Sequence, residues 1–142
     1  DPETQVVLPL LESDLLTVMQ SCTNGTLDKT EVKFSDGAAA CVVLASGGYP
    51  VAYEKGKEIT GLENGQVPGA ADVTVYHAGT AIKDGKLVTN GGRVLGVTAT
   101  AATLPEALKK AYAAAHCIHF DKLHRRSDIG ARALAAMKAQ EG

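Results

Sequence analysis

The sequence predicts an α+β domain, a small antiparallel β unit of barrel-like or barrel-sandwich form with flanking helices, entered through a helical segment. Three observations predict it. Two Asp-Gly dipeptides, Asp36-Gly37 and Asp84-Gly85, separate short runs of strand-forming residues, and Asp-Gly accepts the positive φ angles of a tight hairpin turn. Helical apolar spacing is confined to the first 25 or so residues and to those after about 103. The strand runs between follow one another without helices, which excludes the alternating order of a doubly wound parallel sheet.

The helical entry comes first. Asp1 is placed as an N-cap, Pro2 at the first helical position and Glu3 against the positive end of the helix dipole. Pro9 kinks or divides this segment. Ser13 or Asp14 then caps a second helix with Leu11, Leu15, Val18 and Cys22 along one face, and Asn24-Gly25 stops it. A chain that opens in mid-helix, with no Met, basic leader or small-residue cleavage site, reads as the continuation of something upstream rather than as a signal peptide or membrane span.

From about Lys29 the pattern turns extended. "EVKFS" and "AAACVVLAS" read as two strands about Asp36-Gly37, and Gly47, Gly48 and Pro50 open a long loop to about Gly69. "DVTVYHAG", "TAIK", "KLVTN" and "RVLGVTATA" read as further strands, with turns at Asp84-Gly85 and Gly91-Gly92. Thr103-Leu104-Pro105-Glu106 is a capping box. The helix it opens carries Leu104, Leu108, Ala111, Tyr112, Ala115 and Ile118 on its inner stripe and is expected to lie across the sheet. A basic loop and an Ala-rich helix starting near Ser127 or Asp128 complete the reading.

With 142 residues, 45% of them apolar and 21% charged, the chain suffices for one core. A net charge of −2 argues against a broad nucleic-acid or anionic-membrane surface, which needs many phosphates neutralised at once. Scarce aromatics, 4% with no Trp, argue against base-stacking platforms. Cys22, Cys41 and Cys117 are odd in number and form no C-x-x-C pair, so they read as buried thiols in a reducing cytoplasm.

Several clusters carry side chains suited to chemistry. Arg125, Arg126 and Arg132 stand within eight residues beside an expected helix start; guanidinium forks and helix N–H groups together suit a phosphate monoester, while the pattern by itself favours a solvated basic turn, as most charge clusters are. "SGGYPVAYEKG" joins paired glycines, which let backbone approach a ligand, to Tyr49, Tyr53, Lys55 and Lys57. It lacks the spacing of a Walker phosphate loop. "HAGT" offers His77 and Thr80, and "NGGR" offers Arg93, as ligand contacts or as structural partners. His116 and His119 have metal-like spacing without an evident third ligand, so no metal is expected. No catalytic triad or carboxylate pair stands out.

Four stretches then carry a resemblance. "DPETQ", "VVLASGGYPVAYEKGKEITGL", "VYHAGTAIKDGKLVTNGGRVLGVTA" and "RRSDIGARAL" together resemble the C-terminal end of the phosphoribosylamine–glycine ligase family, the glycinamide ribonucleotide synthetases. The resemblance implies an intact enzyme of purine synthesis that spends ATP, with Mg or Mn, to join glycine to 5-phosphoribosylamine in the cytoplasm. It implies that residues 1–28 are the last helix of an ATP-grasp domain and that 29–142 form the C-terminal domain. The ATP and metal ligands would lie upstream, so this piece is expected to be catalytically silent and to bind neither by itself. Its partners would be the remaining domains and the sugar phosphate. Arg126, Asp128, Gly130 and Arg132 match the family's R-[KR]-D-I-G-x-R pattern, which implies a phosphate grip by Arg126 and Arg132 with Arg125 in support; Ser127 departs from the pattern, and so does Val51, where the family usually has Gly. Tyr49, Tyr53, Lys55, His77, Thr80 and Arg93 would belong to the substrate-site loops. A purely structural brace and a biotinyl-like carrier, with Met137-Lys138 as its only candidate attachment pair, are the readings from other classes.

Overall fold

The computed structural model describes residues 3–141; the cap assigned to Asp1 and Pro2 lies outside them. In chain order the elements are α1 (Thr4–Val7), a 3-10 turn at Leu8–Leu10, α2 (Leu15–Asn24), a second such turn at Leu27–Lys29, β1 (Ala38–Ser46), β2 (Val73–His77), β3 (Thr80–Lys83), β4 (Lys86–Thr89), β5 (Arg93–Ala101), α3 (Leu104–Cys117), β6 (Leu123–His124) and α4 (Ala131–Glu141). A four-stranded antiparallel sheet has the order β2-β5-β1-β6, and β3 pairs with β4 in a separate hairpin.

The long strands β1 and β5 form the spine, in register from Ala38 opposite Ala101 to Leu44 opposite Leu95, with a bulge between Leu44 and Ala45. Alternation along β1 gives each face its partner. Ala40, Val42 and Leu44 are buried in one core with Ala107, Leu108, Ala111, Ala114 and Ala115 of α3, whose small side chains let the helix come close to the sheet. Leu104 and Tyr112 are partly buried against the same core, so the inner stripe read from the sequence is the packed one. Cys41 and Val43 point the other way, toward the side on which α1 packs.

The hairpin at Asp84-Gly85 forms as expected, with φ of 52° and 75° at its two central residues. Residues 57–60 then zip it to the body. Ile59 N–H donates to the Leu87 carbonyl at 2.8 Å, and Thr60 and His119 exchange backbone hydrogen bonds at 2.9 and 3.1 Å.

Several expectations are corrected. "EVKFS" and Asp36-Gly37 do not make a hairpin with β1: neither Asp36 nor Gly37 has a positive φ, and a Cβ on Gly37 would meet the Ala101 carbonyl at 2.7 Å. β5 offers β1 a longer matched ladder, while the segment around Lys33 pairs with the N-terminal arm. There Glu12 and Ser13 N–H donate to the Lys33 carbonyl and Ser35 N–H to that of Leu10.

Asp14 caps α2 through Thr17 N–H at 2.8 Å, and Gly25 ends the helix at φ 67°. Its apolar stripe, however, is not a buried one: Leu11 sits outside the helix in a bridge to Phe34, Leu15 and Cys22 are exposed and Val18 is half-buried, while Leu16 and Met19, off the stripe, are 63% and 57% exposed. Cys22 and Cys117 are exposed rather than buried and Cys41 is half-buried. The Thr103 side chain makes no cap hydrogen bond; Pro105, which has no N–H, leaves one fewer donor to satisfy in the first turn. Finally, α4 starts at Ala131 because Gly130, at φ 80°, breaks helical geometry just before it.

Candidate functional site

A cavity of about 440 Å³ lies at the end of β1 beside α1, lined by Gln5, Cys41, Tyr49, Asn90, Arg93 and the backbones of Gly79, Gly91, Gly92 and Gly96, with neighbouring apolar atoms. Three separate loops reach it. The bulge after Leu44 turns Ser46 so that its hydroxyl donates to the Gly91 carbonyl and its N–H to that of Gly92, each at 2.8 Å. Asn90 N–H donates to the Gly79 carbonyl at 2.7 Å, which draws the "HAGT" and "NGGR" turns together. Gly79 and Gly92 are glycines because of close approach: a Cβ on Gly79 would meet the Arg93 carbonyl at 2.6 Å, and one on Gly92 would overlap the Tyr49 ring. Their role is packing, and the turn reading of Gly91-Gly92 gives only part of it.

Tyr49 and Tyr53 stack at a tilt, with ring centroids 6.0 Å apart, and Tyr49 roofs Gly92 at the cavity edge. The peptide bond between Tyr49 and Pro50 is cis. Lys55 and Tyr53 are exposed and do not line the cavity. The loop is tied down by Glu54, which accepts ion pairs from Lys57 at 2.7 Å and Lys122 at 3.0 Å, while Lys57 also reaches Asp121 at 3.1 Å. Hydrogen bonding from Lys57, then from Lys122, holds the Glu54 carboxyl down at about 2.

His77 is a pin behind the cavity. Its Nε2 lies 3.0 Å from the Gly65 carbonyl and its Nδ1 3.1 Å from the Thr80 hydroxyl. A carbonyl can only accept, so Nε2 carries the proton, and in the neutral ring Nδ1 accepts from Thr80. Both nitrogens are thereby used in fixing the loop at Gly65 to the β2–β3 turn. His77 and Thr80 position Ala78 and Gly79 without themselves lining the cavity.

The basic tail is built differently. Arg126 Nε and Nη2 donate to the two Asp128 carboxylate oxygens, each at 2.8 Å. This bond raises the Arg126 pKa and lowers that of Asp128. Tyr112 staples the turn, its hydroxyl donating to the Arg126 carbonyl at 2.9 Å and accepting from Ile129 N–H at 3.1 Å. A second concavity of about 530 Å³ is lined by Tyr112, His116, Leu123, His124, Arg125 and Ser127; Arg126 and Arg132 do not line it. With α4 starting at Ala131, the turn at 125–128 is not the helix start expected there.

Among the described residues no three of His, Cys, Asp and Glu are placed to hold a metal ion, and no helix is long and apolar enough to cross a membrane. Met137 and Lys138 lie within α4, not at the hairpin tip a carrier domain would need. Gln5, Cys41, Ser46 and Asn90 are cavity or near-cavity residues missed by sequence reasoning. Alternation along β1 held a signal for Cys41; nothing in the pattern marked Gln5.

Comparison with known proteins decides the family. The profile described as "Phosphoribosylglycinamide synthetase, C domain" matches residues 39–132. This chain belongs to that family. Among its relatives, the phosphoribosylamine–glycine ligase of Synechocystis is 49% identical over 135 residues, covering 94% of this chain and 32% of the relative. The trifunctional purine biosynthetic protein adenosine-3 of Gallus gallus is 50% identical, over 100% of this chain and 14% of that protein. The crystal structure of the phosphoribosylamine–glycine ligase of Thermotoga maritima superposes with a TM-score of 0.70 at 41% identity, covering 91% of this chain and 30% of that one. The chain therefore spans a third or less of the length of these relatives. As a C domain of this family it combines helices with antiparallel sheets, as the sequence predicts.

Proposed function

We propose that this chain is the C-terminal part of a phosphoribosylamine–glycine ligase, acting in purine synthesis in the cytoplasm, and that its glycine-lined cavity forms one wall of the 5-phosphoribosylamine site. The observation that carries this is the convergence of Tyr49, Ala78-Gly79 and Asn90–Arg93, from three loops, on one concave surface in a member of the C-domain family. Backbone without side chains lets a small polar ligand lie against the main chain, and Arg93 at the rim brings a guanidinium suited to phosphate.

The sequence assigns the phosphate to Arg125, Arg126 and Arg132. The cavity is taken as the primary contact because three loops converge on it, whereas Arg126 and Arg132 line neither it nor the concavity beside Tyr112. ATP and Mg or Mn would be held by the rest of such a ligase; the described residues do not fit a metal, and no step of the reaction is derived through it. What this chain contributes is position, and positioning alone accounts for large rate effects.

Two structural readings accompany the proposal. Residues 1–28 are assigned to the preceding ATP-grasp domain, supported by the exposed apolar side chains of α2. Barrel-like closure of the two sheets is supported by the pairing of 57–60 with both β4 and His119.

In an intact ligase carrying this domain, Arg93→Ala is expected to raise the KM for 5-phosphoribosylamine about tenfold, the loss of one charge-assisted contact, while the KM values for ATP and glycine stay put. Arg126→Ala and Arg132→Ala are expected to move it far less. The reverse ranking returns the phosphate to the tail.

A further inference from the structure

An asparagine in a loop usually has a local reason to be there, either a left-handed backbone or a side chain bonded to nearby main chain. Asn90 has neither: its φ is not positive, and its side-chain amide makes no hydrogen bond among the described residues. The backbone on both sides of it is nonetheless held. Thr89, 1% exposed, donates its N–H to the Lys57 carbonyl at 2.8 Å and its carbonyl accepts from Gly56 N–H at 2.6 Å. Asn90 N–H is taken by the Gly79 carbonyl, and the Gly91 carbonyl by the Ser46 hydroxyl. Asn90 thus lines the cavity as an exposed residue on a fixed backbone, with the donors and the acceptor of its amide unused. Tyr49 is in the same condition. It is 41% exposed, its ring lies against Gly92 in the same turn, and its hydroxyl makes no hydrogen bond among the described residues. Other polar side chains of the lining are engaged or closed: Oε1 of Gln5 is shut off from solvent, Arg93 has an interaction of its own, and burial pushes the Cys41 thiol up, which leaves it a protonated, weak donor.

We propose that Asn90 is a specificity-determining residue of the cavity, its side-chain amide exchanging hydrogen bonds with the ring hydroxyls of a bound sugar phosphate, with the Tyr49 hydroxyl in support. This rests on the reading of the cavity as a phosphoribosylamine wall and deepens it. The chemistry selects hydroxyls over phosphate. A phosphate dianion carries acceptors only, so it can use the amide N–H groups but not the amide oxygen, whereas a sugar hydroxyl both donates and accepts and so matches both ends. A site that hydrogen-bonds a hydroxyl disfavours the analogue that lacks it. Because Asn90 is exposed, the hydroxyl replaces water, and the net gain is that of one hydrogen bond exchanged for another, about fivefold in affinity.

The test titrates this chain with ribose 5-phosphate and with tetrahydrofurfuryl phosphate, which has the same ring and phosphate but no ring hydroxyls, and follows the backbone amide signals of Gly79, Gly91 and Gly96. The native chain is expected to show shifts of these amides with both probes and to bind ribose 5-phosphate about fivefold more tightly than its hydroxyl-free analogue. Asn90→Ala should bring that ratio to about two or less through weaker binding of ribose 5-phosphate alone, with the melting temperature unchanged. Tyr49→Phe, which keeps the ring over Gly92, should lower the ratio by a smaller factor. A native ratio near one, an unchanged ratio in Asn90→Ala, or an equal loss of both probes in that variant would overturn the role of Asn90 while leaving the cavity reading standing. An unchanged ratio in Tyr49→Phe would overturn the support from that hydroxyl. No shift of the cavity amides in the native chain with either probe would overturn the cavity reading and this inference together.

Discussion

Gly92 is a small residue with a large consequence, because the Tyr49 ring fills the space in which its side chain would stand. Gly92→Ala is expected to displace that ring and to cost about 1–3 kcal/mol of stability, as overpacking does, measured by denaturant unfolding; an unchanged midpoint would mean that the ring moves freely. Glu54 gives a pH prediction. Its carboxyl, held at about 2 against an ordinary 4.5 by Lys57 and Lys122, is depressed, so its contribution is present above pH 4.5 and is lost as pH falls toward 2. Glu54→Gln should flatten that part of the melting temperature profile, and salt should shrink the difference because the group is exposed. At this scale the sequence was legible where a local rule acts, as in Asp84-Gly85 or the cap at Asp14. It was mute where the reason lies across the fold. Gly79 and Gly92 answer to an Arg93 carbonyl and a tyrosine ring far along the chain, and Gln66, which clamps the Val75 backbone with both its amide atoms at 2.7 and 3.0 Å, carries no local signal at all.

Among the elements, α3 owes its place to a stripe that any reader of the sequence can draw, since helical spacing and burial agree from Leu104 to Ile118. Ile118 is fully buried at its end, and Ile118→Ala is expected to cost about 2–5 kcal/mol by leaving a cavity, read from the unfolding midpoint; a loss under 1 kcal/mol would show that the end of α3 adapts. β2 to β5 were legible for the same reason: their residues are short-range patterned and their turns chemically marked. The partner of β1 was not. Asp36-Gly37 invited a hairpin with "EVKFS", but pairing is decided by which ladder is longest, and β5 matches β1 along its length. The tail was misjudged at one residue, Gly130, whose left-handed backbone sits against Leu108 and delays α4 to Ala131.

At the scale of the whole molecule, α2 is the element that the rest of the chain does not account for. It is capped and terminated as a proper helix, yet Leu16 and Met19 face away from the core. A contiguous exposed apolar face fits contact with the remainder of a longer protein. Leu16→Ser and Met19→Ser are therefore expected to change the stability of this chain by no more than about 0.5 kcal/mol, and to lower the melting temperature of an intact ligase by several degrees. Equal effects in both would place the helix inside this domain. The candidate site follows the same division. Its loops were each visible as motifs, but their convergence on one cavity, and the pairing of Arg126 with Asp128, depend on the β1 bulge and on Tyr112, which no spacing rule reveals. The most direct test of the central claim is a crystal structure of an intact ligase carrying this domain with its phosphoribosyl product bound. The account predicts sugar-phosphate density in the cavity of Gly79, Gly91, Gly92 and Arg93; density on the turn at 124–128, or nowhere on this domain, would contradict it.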